Sequence, residues 1–253
     1  MSTSTLTQNR PEVIEECVRD LVDGIEGHPA LQNPFYSTWM GRTLNAREVQ
    51  VFAEQYLART VNTSVMVALS VVYTDDLKAR VECVKNLYSE YGNGDPAKAH
   101  LVLLDEFLSD LVGRVAGRSV TAQELHAATP LPSTARFSQV QRELFTSDDQ
   151  RTVQGALLAQ EHLAYSMLTR LYEGVRNYIN LYDTLDDFHE RCEYFYLHIG
   201  EAEKEHKAEA LISTVAVCDT EQDLEVVTEA FRQFMSITAD YWSGVADAMS
   251  QTA

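Results

Sequence analysis

The chain is poor in the residues that form turns, with only 11 glycines and 6 prolines among 253 residues. This scarcity argues against a loop-rich or β-rich protein. No run of 18 apolar residues is present, and the first twelve residues, MSTSTLTQNRPE, lack the basic and apolar regions of a signal peptide. The sequence alone therefore predicts a cytoplasmic protein that does not span a membrane.

Basic residues are also scarce. Lysine and arginine total 20 against 38 acidic residues, which gives a net charge of −18. A charge of this sign argues against nucleic acid or an anionic membrane as a partner.

Cysteine is the third scarce residue, since the chain has four and no C-x-x-C pair. Cys17, Cys83, Cys192 and Cys218 are widely spaced along the sequence. This spacing predicts reduced and mostly buried thiols rather than a disulfide framework or a zinc knuckle.

What the chain does have is helical periodicity in nearly every segment, with no convincing alternating strand. We predict an all-α fold of eight to ten helices in one domain over residues 1–253. The predicted helices cover about 11–26, a short one from 34, 46–73, 75–92, 96–113, a short one from 121, 133–145, 149–181, 183–218 and 221–249. Asn45 with Glu48, and Thr121 with Glu124, have the spacing of capping boxes.

The most informative stretch is residues 192–209, CEYFYLHIGEAEKEHKAE. It contains His198 and His206 with Glu201, Glu203 and Glu205 between them, and Glu203 with His206 forms an E-x-x-H pair on one helix face. Imidazole and carboxylate are ligands that iron, manganese and zinc accept. The alternative is a solvated Glu/Lys face with two incidental histidines, because one E-x-x-H is a weak motif.

Two further places combine acid and imidazole with apolar periodicity. Glu90 and His100 flank the turn GNGDP, which brings them close in space, and Glu161 lies on or beside the buried stripe of a long helix. Each residue alone is compatible with a solvated helix position. Together with residues 198–206 they provide the glutamates and histidines of a di-iron carboxylate site in a helical bundle. A ferritin-like protein needs two E-x-x-H motifs, and this chain has one.

The order of these segments resembles the haem-oxygenase-like di-iron oxidases and oxygenases, whose fold is shared by thiaminase II and pyrroloquinoline quinone synthase. The resemblance extends from about Asn45 to Leu211 and is most specific between Glu90 and His100. It implies a haem-oxygenase-like bundle, with catalytic roles for Glu90, Glu161 and His206. It also implies a set of metal ligands, which comprises Glu90, His100, Glu161, His198, Glu203 and His206.

The chain departs from the family pattern in having four residues, not three, between His198 and Glu203. On a regular helix with about 100° per residue, Glu203 would lie about 140° around the axis from His198. We therefore predict a π-bulge or local unwinding between them. On a regular helix, Glu201 would be better placed than Glu203 to act as the acidic ligand beside His198. Glu54 is a weaker candidate for an additional ligand from an early helix.

The resemblance implies two iron ions as cofactor and O2 as co-substrate. The expected reaction is oxidation of a small amino acid or a derivative in natural-product biosynthesis, by N-oxygenation, desaturation or oxidative C–C cleavage. The electrons would come from the substrate or from an external donor. The expected partner is thus a small molecule, and a homodimer is compatible with the sequence.

Substrate-contacting residues are less well marked. Arg59 and Arg176 lie on predicted core helices and are candidates for bidentate binding of a carboxylate, although a surface ion pair is the ordinary interpretation of each. Aromatic candidates for the pocket, which are equally compatible with simple core positions, are Tyr56, Tyr88, Tyr91, Tyr165, Tyr194 and Tyr196.

Two alternatives to the iron enzyme remain at the level of sequence. One is a metal-free, thiaminase-II-like hydrolase with a cysteine nucleophile, although no cysteine lies beside an obvious histidine base. The other is a helical interaction protein that is not an enzyme, whose acidity would suit a basic protein partner.

Overall fold

The computed structural model describes the backbone of residues 10–251 and the side chains of residues 12–200 and 206–251. All regular structure in this part of the chain is helical, which confirms the predicted all-α fold. The α-helices are α1 Arg10–Asp23, α2 Pro34–Gly41, α3 Ala46–Thr60, α4 Thr63–Val72, α5 Leu77–Glu90, α6 His100–Ala116, α7 Ala122–His126, α8 Pro132–Phe145, α9 Gln150–Val175, α10 Leu185–Arg191, α11 Glu193–Ile199, α12 Glu201–Ala216 and α13 Glu221–Ser250. Short 3-10 segments cover Gly24–Gly27, Gly92–Gly94, Pro96–Lys98 and Arg176–Leu181.

Local capping explains where several helices begin. The capping box predicted for α3 is confirmed, because Asn45 accepts from the Glu48 amide at 3.0 Å and Glu48 accepts from the Asn45 amide at 2.8 Å. At α7 only half of the predicted box forms. Thr121 accepts from the Glu124 amide, whereas the Glu124 carboxylate pairs with Arg118 at 2.9 Å.

The described residues contain more helices than predicted because two predicted long helices are interrupted. The segment 46–73 forms α3 and α4, which meet at Asn62, and the segment 183–218 forms α10, α11 and α12, with breaks at Cys192 and Gly200. Asn and Gly are weak helix formers, which accounts for the breaks at Asn62 and Gly200. The third predicted long helix ends as an α-helix at Val175 and continues to Leu181 as a 3-10 segment.

Helix α9 lies at the centre of the bundle, where it packs against α13, α12, α2 and α11. Two of its glycines permit close approach. A Cβ on Gly174 would lie 2.0 Å from Trp39 Nε1, and one on Gly155 would lie 2.4 Å from the Val227 carbonyl oxygen. Trp39 also donates a hydrogen bond to the Leu171 carbonyl at 2.8 Å. These contacts fix the position and rotation of α9, and with them the position of Glu161.

An aromatic cluster joins α2 and α3 to α13. The Phe35 ring stacks on Trp242 at 4.3 Å between centroids and contacts Phe52 at 5.4 Å. All three side chains are buried. Such pairs add to the stability already gained from burying large apolar surfaces.

Within the described residues, no helix combines the length and the apolar character that crossing a membrane requires. The single domain over residues 1–253 stays a prediction.

Candidate metal centre

The turn between α5 and α6 brings Glu90 and His100 together, as the sequence predicted. Glu90 ends α5, His100 begins α6, and Glu90 Oε1 lies 3.2 Å from His100 Nδ1. Gly92 and Asn93 have φ values of 70° and 54° within this turn. A Cβ on Gly92 would lie 2.6 Å from the Lys98 carbonyl carbon, so only glycine fits there.

His198 reaches the same place from the end of α11. Its ring packs against the His100 ring at 4.4 Å between centroids. Its Nδ1 lies 2.7 Å from the Tyr194 carbonyl oxygen. A carbonyl only accepts, so Nδ1 carries the proton and donates it to this bond, and Nε2 keeps its lone pair. Burial lowers the pKa of His198 to about 3, which keeps the ring neutral, as a metal ligand requires.

The predicted irregularity after His198 is confirmed as local unwinding rather than a π-bulge. Helix α11 ends at Ile199, and Gly200 adopts an extended conformation with φ −88° and ψ −163° before α12 begins at Glu201. Because the helical register restarts at Gly200, His198 and His206 line one cavity although they lie on different helices. Glu201 and Glu203 have side chains outside the described set, so the choice between them stays a prediction.

Glu161 lies in the middle of α9 and is also buried. Its carboxylate accepts a hydrogen bond of 3.1 Å from Gln160, whose own oxygen accepts from Gln141 at 3.1 Å. Burial raises the pKa of Glu161, and the negative charge of Glu90 raises it further. Sequence reasoning missed the two glutamines, although a buried polar residue at a core helix position was the available signal.

Glu90 experiences a more favourable electrostatic environment than Glu161. Burial raises the pKa of its carboxyl group, but the neighbouring histidines, His100 first and then His198 and His206, lower it by more. The pKa of Glu90 consequently lies below its usual value.

Among the described residues, Glu90, His100 and His198 form a group whose ligand atoms all lie within 4.8 Å of one another. His100 Nδ1 is buried without a hydrogen-bond partner, since its direction towards Glu90 is unsuitable despite the short distance. Two atoms that are close without a mutual hydrogen bond can both bind the same cation. The carboxylate and imidazole donors also match the preference of iron, so the residues present fit this metal.

One cavity of about 60 Å³ contains the described candidate ligands. It is lined by Glu90, His100, Glu161, His198 and His206, together with Tyr56, Arg59, Gln141, Gln160 and Tyr194. The structure therefore brings together five of the six predicted ligands, whose metal-binding roles stay a prediction. Glu54, the weaker candidate, does not line the cavity and instead accepts a hydrogen bond from Gln50 at 2.6 Å.

The predicted substrate residues divide into two groups. Tyr56 and Tyr194 line the cavity and contact each other through their hydroxyl groups at 3.2 Å. Tyr88 and Tyr91 are exposed, and the expectation that they line the pocket is wrong. Tyr165 and Tyr196 do not line it either.

The two arginines also differ. Arg176 forms the ordinary exposed ion pair, with Glu173 at 2.9 Å, whereas Arg59 is buried and lines the cavity. The surface interpretation is therefore correct for Arg176 and wrong for Arg59.

None of the four cysteines, all within the described residues, lines this cavity. Three are buried, as predicted, and Cys17 is partly exposed. Burial raises the pKa of Cys192 and of Cys218 to about 12, so these thiols stay protonated at neutral pH. The cavity therefore contains no cysteine that could act as the nucleophile of a hydrolase.

A comparison with protein families identifies the family of this chain. The profile of a family described as iron-containing redox enzymes matches residues 50–239, about three quarters of the chain. The chain belongs to this family. The matched segment contains every candidate ligand.

A curated relative of this iron-containing redox enzyme is the 4-chloro-allylglycine synthase of Streptantibioticus cattleyicolor. It is 23% identical over 245 residues, which cover 95% of this chain and 88% of the relative. The two proteins are therefore similar over nearly their whole lengths.

Solved structures support the fold of this iron-containing redox enzyme. A TenA homologue from Pseudomonas syringae is 12% identical with a TM-score of 0.71, covering 98% of both chains. A domain with a haem-oxygenase-like fold from Shewanella denitrificans is 16% identical with a TM-score of 0.63, covering 99% of this chain and 94% of that one. The predicted haem-oxygenase-like bundle is confirmed.

Proposed function

We propose that this chain is a non-haem di-iron, O2-dependent oxidase or oxygenase that acts on a small amino acid or an amino-acid derivative. The observation that carries the proposal is the buried group of Glu90, His100 and His198 in a cavity shared with Glu161 and His206. Family membership supports the iron, and the relative that forms an allylglycine supports an amino-acid substrate in natural-product biosynthesis.

Six residues would hold the two irons: Glu90, His100, Glu161, His198, Glu203 and His206. When bound, the metal supplies the redox chemistry that allows O2 to react with an organic substrate. We assign catalytic roles to Glu90, Glu161 and His206, which would touch the cofactor. The reaction types considered are N-oxygenation, desaturation and oxidative C–C cleavage.

Neighbouring groups orient these ligands and set their protonation state. The Tyr194 carbonyl accepts a hydrogen bond from the Nδ1–H group of His198. This bond fixes the tautomer in which Nε2 is unprotonated. Gln160 donates to Glu161 and orients that carboxylate. The apolar side chains of Leu104, Met167 and Leu168 line the same cavity and limit the access of water.

The test is anaerobic Fe(II) titration of the metal-free protein, followed by mixing with O2 in a stopped-flow spectrometer. We expect two irons per chain and a transient visible band, both reduced in His100→Ala and His206→Ala. His126→Ala is the matched control, because His126 pairs with Asp105 at 3.0 Å outside the cavity. Absence of iron binding and of O2 consumption in the unmodified protein would refute the proposal.

A further inference from the structure

Arg59 lines the cavity and has no acidic partner among the described residues. Its side chain is on α3, only 6% of the residue is exposed, and it lines the cavity that contains the candidate ligands. Its Nε is buried without a hydrogen-bond partner. The described carboxylates form no ion pair with it. The guanidinium instead stacks on Phe137 at 4.5 Å and on Tyr241 at 5.5 Å from the ring centres.

This arrangement is costly for the protein alone. A guanidinium keeps its charge, and removing it from water without a counterion is unfavourable. Aromatic faces offset part of that cost and fix the plane of the guanidinium fork. A buried guanidinium fork that is held by two aromatic rings and has no acidic partner among the described residues is suited to bind a carboxylate that arrives with a ligand.

A second positive feature lies next to Arg59. Helix α4 begins at Thr63, and Thr63 and Ser64 line the same cavity. The side chain of the N-cap residue Asn62 makes no capping hydrogen bond to this helix end. The first amide groups of a helix and its dipole attract anions. The interruption between α3 and α4 therefore provides both a helix N-terminus and Arg59 at one edge of the cavity.

We propose that Arg59 and the N-terminus of α4 bind the carboxylate of the amino-acid substrate. This assignment rests on the proposed function and adds a specificity-determining residue to it. Anchoring the carboxylate at the α3–α4 edge leaves the rest of the substrate to extend towards Glu90, His100 and His198. The required ligand chemistry is a carboxylic acid whose carboxylate reaches the α3–α4 edge of the cavity.

The first experiment measures binding to the Fe(II)-loaded protein under argon by isothermal titration calorimetry. The probes are the twenty proteinogenic L-amino acids, and each one that binds is measured again as its carboxamide. We expect the carboxamide to bind about 10- to 100-fold more weakly, because it lacks the charge that pairs with the guanidinium. Arg59→Gln should weaken binding of the acid by the same factor and leave the carboxamide nearly unchanged.

Two further variants separate ligand binding from a structural role. Arg59→Lys keeps the charge but loses the fork, so binding of the acid should be intermediate. Arg59→Met removes the buried charge, so the Tm of the metal-free protein should stay equal or rise while acid binding is lost. A structural arginine would instead lower the Tm on replacement. Arg176→Gln is the matched control, since Arg176 is exposed and paired with Glu173.

Three results would overturn the inference: equal affinity for acid and carboxamide, undiminished acid binding by Arg59→Gln, or no binding by any amino acid of the panel. If Arg59→Gln does not fold, the carboxamide comparison on the unmodified protein still decides. Iron stoichiometry and the O2 transient are measured without amino acid. Iron binding without a carboxylate effect rejects only the role of Arg59, whereas failure to bind iron rejects the proposed function itself.

Discussion

Glu90 and Glu161 are two buried carboxylates that line one cavity. In the absence of a cation, each negative charge disfavours ionisation of the other, and the pKa of Glu161 is raised by burial and by Glu90. A bound cation would reverse this balance by compensating both charges. At the scale of the residue, the site is thus built at a cost to the stability of the metal-free protein.

Glu161→Gln should therefore have opposite effects on stability and on metal binding. Removing the buried charge while keeping the shape should raise the stability of the metal-free protein by about 1 kcal/mol. The same change should lower iron stoichiometry, because a neutral amide is a poorer ligand. Thermal unfolding of the metal-free protein and anaerobic iron titration measure the two effects.

Glu54→Gln is the control for this experiment. Glu54 is on α3, outside the cavity, where it accepts a hydrogen bond from Gln50. Both Tm and iron stoichiometry should be unchanged in it. A clear loss of stability in metal-free Glu161→Gln would contradict the electrostatic account.

At the scale of the element, the site depends on two irregular backbone segments between helices. The GNG turn directs α5 and α6 so that Glu90 and His100 meet, and the extended Gly200 allows α11 and α12 to present His198 and His206 to one cavity. Neither geometry is available to one regular helix.

Gly92→Ala should destabilise the turn between α5 and α6 by more than backbone strain alone would. The φ of 70° is unfavourable for alanine, and the new Cβ would lie 2.6 Å from the Lys98 carbonyl carbon. We expect a loss of more than about 1 kcal/mol in the free energy of unfolding. Iron affinity should fall as well, because Glu90 and His100 separate.

Gly117→Ala provides the matched comparison. Gly117 has a similar φ of 65°, but nothing lies within 4 Å of an added Cβ. The free energy of unfolding of Gly117→Ala should fall by about 1 kcal/mol, because alanine is strained in the left-handed conformation. Iron binding should be fully retained. Chemical denaturation and iron titration of both variants distinguish crowding from strain, and equal behaviour of the two would contradict the prediction.

At the scale of the whole molecule, the five described candidate ligands come from five helices. Glu90, His100, Glu161, His198 and His206 lie on α5, α6, α9, α11 and α12, respectively. A metal ion held by several of these would connect elements that are far apart in sequence. Binding to the folded state alone stabilises it by mass action.

Fe(II) under anaerobic conditions should therefore raise the Tm of the protein. At a free concentration 100 times the Kd, the expected stabilisation is about 2.7 kcal/mol, or roughly 5–10 °C for a chain of this size. The increase should be reversed by a chelator and largely absent in His198→Ala. Mg²⁺ should have little effect, because the site contains imidazole ligands. A Tm unaffected by Fe(II) would argue against a preformed metal site.

Most of the helices were predictable because their signals are local. Apolar periodicity and caps such as Asn45 depend on residues a few positions apart, and both survive in the structure. Breaks within apolar helical patterns were harder to place. The interruption at Asn62 was not predicted, whereas the one near Gly200 was inferred from the spacing that the family resemblance requires.

By itself, the sequence determined an all-α chain and the pairing of Glu90 with His100, since a short glycine turn joins them. It also identified Glu161, His198 and His206 as candidates, because acid and imidazole at apolar helix positions are costly without partners. Only the tertiary structure decided which long side chains reach the cavity. Arg59 and Arg176 both lie on helices that the sequence predicts to be part of the core, yet packing buries the first against Phe137 and leaves the second exposed in an ion pair with Glu173. Burial of a single side chain depends on contacts between distant segments, and local periodicity does not record them.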